Sequence, residues 1–158
     1  MSAKRETALT QLLPKLEISS LERPIDLRLV LSTSEIIIDF GSGMGDHAIE
    51  LAASNPETGV LAIDVHTVGL CEVAGAATER KLKNIRTHHG DGLDVLSGWL
   101  TPESISQVHV LFPDPWPKKR HHKRRLIKPN FIKILAEKLW AVAPPVLVSK
   151  KVVLVGLN

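Results

Sequence analysis

Short apolar runs alternate with helical segments along most of this chain, and this alternation limits the possible folds more than any other feature. The runs Ile36 to Phe40, Val60 to Val65 and Val108 to Phe112 have the length and mostly apolar character of buried strands, and Asn84 to His89 can be a further strand between the second and the last of them. Parallel strands need long crossover connections, and these are usually helices. The pattern therefore predicts an α/β fold with a mostly parallel sheet that helices cover on both faces.

The segments between these runs have the composition of helices. Four helices are predicted, over Asp46 to Ser54, Thr67 to Lys83, Gly92 to Trp99 and Ile127 to Val142. Residues 1–35 are interpreted as an amino-terminal extension, with a weak helical pattern followed by a polar connection from Ile18 to Ser34. Residues 36–158 are interpreted as a single domain, which suits the length of the chain.

The cysteine content and the hydropathy pattern favour a cytoplasmic protein. Cys71 is the only cysteine, so no internal disulfide can form, and a helical position makes it a small core residue. No apolar run approaches the roughly 20 residues that a membrane-spanning helix needs. The first six residues lack the apolar stretch of a secretory signal. We therefore expect no membrane partner.

A glycine-rich turn, Asp39-Phe-Gly41-Ser-Gly43-Met-Gly45, follows the first predicted strand. Such glycines permit a tight turn and the close approach of a ligand to the backbone. Asp46 stands where the dinucleotide fingerprint has its third glycine, and its charge would repel a pyrophosphate at the start of a helix. A cationic cofactor without phosphates, such as S-adenosylmethionine, fits better, with Asp39 facing its charge. The alternative is a turn that merely connects the strand to the helix.

Two further acids follow the second and third predicted strands. Asp64 ends the second strand, where a carboxylate can accept hydrogen bonds from the ribose hydroxyls of an adenosine-containing cofactor. An aspartate at a strand end is also a common turn residue. Asp91, between two glycines after the third strand, is placed to reach an adenine amino group. It can equally be the N-cap of the next helix.

An acidic, aromatic and basic segment follows the fourth predicted strand. Asp114 lies between two prolines that restrict the backbone, and Trp116 offers a flat face on which a base can stack. Lys118 to Lys128 then contains seven lysines and arginines in eleven residues, which provides phosphate contacts for a nucleic acid. From charge alone the basic run could also be a solvated helix face, and Trp116 could be a core residue.

The string Phe-Pro-Asp-Pro-Trp-Pro-Lys-Lys-Arg-His-His-Lys-Arg-Arg from Phe112 to Arg125 resembles the bacterial tRNA (guanine-N7-)-methyltransferases. The glycine turn, Ile63-Asp64-Val65-His66 and the segment from Asn84 to Asp91 have the order and spacing of that family, and the resemblance covers roughly 36–139. It implies the Rossmann-like fold of class I S-adenosylmethionine-dependent methyltransferases. It also implies S-adenosylmethionine as cofactor, tRNA as partner, and methyl transfer to N7 of a guanine in the tRNA variable loop.

The resemblance also implies roles for individual residues. The cofactor-site residues are Asp39, Gly41, Gly43, Gly45, Asp64, Asp91 and Asp114. Asp114 is in addition the implied catalytic residue, and Lys118 the implied substrate contact. The implied tRNA-binding strip is Arg120, His121, His122, Lys123, Arg124 and Arg125. No metal site is predicted, because none of the histidines has ligand spacing with other histidines, cysteines or acids.

The carboxyl-terminal part departs from the family. Ala143-Pro144-Pro145 replaces the family's glycine turn, and no Thr-Asp pair or Thr-x-Phe-Glu motif follows Leu139. Val146 to Val148 is the expected fifth strand, whereas the apolar segment Val152 to Leu157 has no predicted role. The carboxyl-terminal strands are therefore expected to be incomplete.

Two other functions compete with tRNA methylation. The first is a truncated, inactive remnant that binds tRNA or cofactor without turnover, and the missing carboxyl-terminal motifs motivate it. The second is a nucleotide-binding oxidoreductase, which Asp46 and the basic run disfavour.

Overall fold

The sheet has five strands, and every neighbouring pair is parallel. The computed structural model describes residues 2–111, 118–120, 128–139 and 151–155. The strands are β1 (Glu35–Phe40), β2 (Thr58–Asp64), β3 (Ile85–His89), β4 (Gln107–Leu111) and β5 (Lys151–Val155). Their order across the sheet is β3-β2-β1-β4-β5, so the strand order reverses between β1 and β4. The predicted parallel α/β fold is confirmed.

Seven helices occur in the part of the chain that the structure describes. They are α1 (Ala3–Thr7), α2 (Leu13–Leu16), α3 (Leu27–Leu31), α4 (Asp46–Ser54), α5 (Thr67–Glu79), α6 (Gly92–Asp94) and α7 (Pro129–Lys138). A π-helical turn, Ala8–Leu12, joins α1 to α2, and a second one, Val95–Trp99, continues α6. Helix α7 begins at Pro129 rather than Ile127, since proline lacks an N–H and suits the first helical turn. None of these helices is long and apolar enough to cross a membrane.

Helices cover both faces of the sheet, as the continuous apolar strands predicted. On one face, α4 and α5 pack small side chains such as Ala48 and Ala74 against Val60 and Ala62 of β2. On the other face, Phe131 of α7 lies edge-on to Phe40 of β1, with ring centroids 5.5 Å apart. Burial on both faces fixes the strands, and therefore the edge at which their carboxyl ends meet.

The interpretation of residues 18–34 as a polar connection is wrong. Ile18, Ile25 and Leu27 are at most 2% exposed and belong to the core between the sheet and α7. Asp26 caps α3, because its carboxylate accepts a hydrogen bond from the Arg28 N–H. The apolar residues of this segment have no regular period, so only their packing on the sheet reveals them.

The fifth described strand differs from the expected one. Lys151–Val155 pairs in parallel with β4, from Gln107 opposite Lys151 to Leu111 opposite Val155. The apolar carboxyl-terminal segment that had no predicted role therefore extends the sheet. The expected strand Val146 to Val148 lies outside the described residues.

Candidate active site at the carboxyl edge of the sheet

The glycine turn lies at the point where the strand order reverses, which is the usual ligand position in such sheets. Gly41, Gly43 and Gly45 have φ angles of +73°, +57° and +86°, which side chains other than glycine rarely adopt. The N–H groups of Gly41 and Ser42 both donate to the Ile63 carbonyl at 2.9 Å. The turn is thereby fastened to the end of β2.

Helix α5 packs directly on this turn, through a glycine that the sequence interpretation missed. A Cβ at Gly69 would overlap the Gly43 carbonyl oxygen, and a Cβ at Gly45 would overlap the Val73 side chain. Backbone therefore touches backbone where α5 meets the turn. A glycine lowers helix propensity, and the sequence places two of them, Gly69 and Gly75, in this predicted helix. Only the structure shows that Gly69 is the closely packed one.

The Asp64 carboxylate binds the backbone of two turns, the glycine turn after β1 and the turn that follows β2. Its Oδ2 accepts a hydrogen bond from the Gly43 N–H, and its Oδ1 accepts one from the His66 N–H, both at 2.8 Å. Asp64 therefore does have the turn-stabilising role that was given as the alternative to ribose binding. A carboxylate has about four acceptor positions, so Asp64 retains capacity for a ligand.

Asp39 is a buried acid without a full set of partners. It is 1% exposed, and its Oδ2 has no hydrogen-bond partner. Burial and the nearby Asp64 carboxylate raise its pKa from 3.8 to about 7, and a hydrogen bond from the Ala48 N–H opposes this only in part. A buried carboxylate with one unsatisfied oxygen beside a glycine turn suits a cationic group, as S-adenosylmethionine would supply.

Asp91 follows β3 and is exposed. Its Oδ1 accepts a hydrogen bond from the Leu93 N–H at 2.8 Å, so it is the N-cap of α6. The structure therefore shows the N-cap role that was the alternative for Asp91, and the second carboxylate oxygen, Oδ2, can still accept a hydrogen bond from a ligand. The following Gly92 lies against the Phe40 ring, where a Cβ would overlap the ring. This contact packs the start of α6 closely against the end of β1.

The structure brings Asp39, Asp64 and Asp91 together at the carboxyl edge of the sheet. Asp64 interacts electrostatically with Asp39, and its carbonyl accepts the Gly90 N–H at 3.0 Å, next to Asp91. Lys118 and Arg120 are exposed. The other predicted residues, Asp114, His121, His122, Lys123, Arg124 and Arg125, lie outside the described residues.

A pair of histidines near this edge was also missed. His47 Nε2 lies 2.9 Å from His109 Nδ1, and His109 Nε2 lies 3.1 Å from Gln107 Oε1. Burial lowers the pKa of His47, and His109 stands opposite Asp39 in the β1–β4 register. The residues are 62 positions apart, so spacing along the sequence could not pair them.

A cavity of about 690 Å³ lies beside the glycine turn, and its lining does not include Asp39, Asp64 or Asp91. Its lining includes Arg5, Met44, Cys71 and Glu72. Cys71 is buried, as expected of a core residue, and burial raises its thiol pKa. No cluster of three or more histidine, cysteine, aspartate or glutamate side chains suited to a metal occurs among the described residues.

Comparisons with known proteins identify relatives over most of the chain. A family model described as "Putative methyltransferase" matches residues 33–143. The tRNA (guanine-N(7)-)-methyltransferase of Streptomyces avermitilis is 41% identical over 140 residues, which are 88% of this chain and 48% of that protein. The enzyme of the same name from Nitrosomonas europaea is 41% identical over 133 residues, 84% of this chain and 59% of that protein. The chain thus spans about half the length of the curated relatives it matches.

Solved structures show the same fold at lower identity. The 16S rRNA methyltransferase KamB has a TM-score of 0.53 and 20% identity, over 72% of this chain and 50% of that one. A second structure is a variant of the 16S rRNA (adenine(1408)-N(1))-methyltransferase from Catenulisporales acidiphilia, crystallised with cosubstrate SAM. It has a TM-score of 0.55 and 20% identity, over 77% of this chain and 60% of that one. The fold is therefore the Rossmann-like fold of class I methyltransferases.

The family match covers the glycine turn, the strand-end acids and the basic run, and the structure has the methyltransferase fold. The chain therefore belongs to the tRNA (guanine-N(7)-)-methyltransferase family.

Proposed function

We propose that the chain transfers a methyl group from S-adenosylmethionine to N7 of a guanine in the tRNA variable loop. The observation that carries the proposal is the buried Asp39 carboxylate beside a glycine turn, whose Oδ2 has no hydrogen-bond partner, in a chain of this family. A neutral or anionic cofactor would leave that carboxylate uncompensated. Because tRNA is the proposed substrate, the cytoplasm is the proposed location.

The cofactor supplies an electrophilic methyl group on a sulfonium. In our proposal Asp39 faces its positive charge, Asp64 accepts the ribose hydroxyls, and Asp91 receives the adenine amino group through its free Oδ2. The glycine turn lets the ligand lie against the backbone of Gly43. These roles use the acceptor positions that the internal hydrogen bonds of Asp64 and Asp91 leave open.

Methylation of guanine N7 needs little acid–base chemistry, since N7 has a lone pair and no proton. Positioning and electrostatic stabilisation of the cationic purine are therefore sufficient. We propose that Asp114, which the two flanking prolines restrict, orients the base and stabilises its developing charge. Lys118, Arg120, His121, His122, Lys123, Arg124 and Arg125 would contact the tRNA.

The decisive experiment is transfer of labelled methyl from S-adenosylmethionine into unmodified tRNA, followed by digestion to nucleosides. Label in 7-methylguanosine supports the proposal, whereas label in another nucleoside contradicts it. Folded protein that binds the cofactor and tRNA but transfers no methyl would favour the inactive remnant instead.

Asp114→Ala is expected to lower turnover about tenfold to a hundredfold, because it removes one electrostatic contact to the transition state. Single-turnover rates with saturating tRNA measure the effect. Asp94→Ala, an exposed aspartate of α6, serves as the control. Near-normal turnover in the Asp114 variant would show that this carboxylate does not act on the base.

Arg120→Ala is expected to weaken tRNA binding about threefold to tenfold and to reduce the slope of log K against log salt by about 1. The physical reason is the loss of one exposed cation that contacts a phosphate. Filter binding at several salt concentrations measures both quantities. Lys83→Ala, an exposed cation just before β3 and at the opposite edge of the sheet, should change neither.

A further inference from the structure

Glu17, in the segment before the sheet, is joined to the end of β3. Its Oε1 lies 2.9 Å from His88 Nδ1, and its Oε2 accepts the His89 N–H at 2.9 Å. The Ile18 N–H also donates to the Thr87 carbonyl at 3.1 Å. One side chain thus holds two consecutive residues at the point where β3 ends.

This contact is largely shielded from water. The side chains of Glu17 and His88 are 17% and 6% exposed. Burial acts to raise the pKa of Glu17, but the hydrogen bonds from His88 and the His89 N–H together lower it below its usual value. The His88 ring lies edge-on to Trp99 at 4.6 Å, and the Arg23 guanidinium lies 3.4 Å from the Trp99 ring centre.

The residues that follow β3 connect this contact to the candidate cofactor site. The Gly90 N–H donates to the Asp64 carbonyl, and His89 Nε2 lies 3.1 Å from the Val65 carbonyl. A Cβ at Gly90 would approach His88 Nε2 within 2.6 Å, so the His88 ring lies against the turn that leads to Asp91. Movement of His88 or His89 would therefore displace Asp91 relative to Asp64.

A buried hydrogen bond from an imidazole to a carboxylate is a weak source of net stability, because the desolvation of the carboxylate offsets much of the gain. An apolar contact at this position would hold the segment to the sheet equally well. What an apolar residue cannot do is fix both a ring nitrogen and a backbone N–H in one orientation. The geometry of Glu17 therefore suits the positioning of β3's end better than simple anchoring.

We propose that Glu17 is a positioning residue for the cofactor, which acts through His88 and His89 to place Asp91 beside Asp64. The inference rests on the proposed function, because it assumes that Asp64 and Asp91 receive the two parts of the adenosine group. Glu17 itself makes no contact with the ligand. Its effect should appear in cofactor affinity and in the rigidity of the turn, and much less in the maximal rate.

The test compares Glu17→Ala, Glu17→Asp and Glu17→Gln with the matched control Glu22→Ala, an exposed glutamate of the same segment. The dissociation constant for S-adenosylmethionine is measured calorimetrically, at a temperature well below the unfolding midpoint of every variant. Amide hydrogen exchange of residues 88–93 is measured without cofactor. The aspartate variant is too short to hold both partners and gives a second reading if the alanine variant does not fold.

Glu17→Ala and Glu17→Asp are expected to weaken cofactor binding about tenfold and to speed exchange at His89 and Asp91, given the usual strength of charged hydrogen bonds. Glu17→Gln retains an acceptor for the His89 N–H and should stay within about threefold of the unmodified chain. Faster exchange with unchanged affinity would assign Glu17 to the fold alone and overturn the inference. If the unmodified chain binds no S-adenosylmethionine, the proposed function fails and the inference fails with it.

Discussion

Replacing Gly69 with alanine is expected to destabilise the protein by more than about 3 kcal/mol and to abolish measurable cofactor binding. The new Cβ would overlap the Gly43 carbonyl oxygen, which is backbone and cannot rotate away. Either α5 or the glycine turn has to move, and overpacking of this kind is costly even where side chains can adapt. Movement of the turn would also break the bond between the Gly43 N–H and Asp64.

Gly75→Ala is the matched control for this prediction. Gly75 lies in the same helix, and a Cβ there would meet nothing within 4 Å. Alanine should therefore be neutral or stabilising by about 0.5–1 kcal/mol through its helix propensity. Denaturant unfolding and calorimetric binding of S-adenosylmethionine measure both variants. A Gly69→Ala protein as stable as the Gly75→Ala protein would contradict the close packing of α5 on the turn.

Asp39→Asn is expected to weaken S-adenosylmethionine binding about 100-fold to 4,000-fold. Loss of one partner of a buried charge pair costs roughly 3–5 kcal/mol, and each 1.4 kcal/mol corresponds to about a factor of ten. Calorimetric titration measures the change, with Asp94→Asn, an exposed aspartate, as the control. Unchanged affinity in the Asp39 variant would remove this residue from the cofactor site.

The same substitution should alter the pH dependence of stability in the protein without cofactor. The pKa of Asp39 rises from 3.8 to about 7 on folding, so between these values the folded state holds a proton that the unfolded chain releases. This stabilising contribution is complete below about pH 4 and is lost as the pH rises through 7. At about 1.4 kcal/mol per pKa unit it amounts to at most about 4 kcal/mol.

The asparagine variant lacks this titration. Its free energy of unfolding, relative to that of the unmodified chain, should therefore increase between pH 4 and pH 8. Urea unfolding at several pH values measures the difference. A constant difference over that range would show that Asp39 is ionised throughout in the folded protein.

The strands and the site glycines followed from local patterns in the sequence. β1, β2 and β4 are short, mostly apolar runs that need burial on both faces, and a parallel sheet with helical connections provides this. The glycine turn could be located because its residues need positive φ angles, which is a local requirement. Asp64 and Asp91 could be located because they lie at or just after the carboxyl ends of predicted strands.

The contacts that shape the site depend on residues far apart in the sequence. Glu17 meets His88 across 71 positions and His47 meets His109 across 62, so no spacing rule could pair them. β5 was also missed, because its apolar residues form a strand only where the edge of β4 receives them.

The sequence by itself determined the class of fold, the family and the edge of the sheet at which the proposed site residues lie, because strand alternation and turn chemistry are properties of neighbouring residues. Only the tertiary structure decided that the Asp39 Oδ2 lacks a hydrogen-bond partner, that Gly69 touches the glycine turn, and that Glu17 holds the end of β3. Burial, close packing and pKa shifts depend on which distant segments the fold brings together, and local sequence does not contain that information.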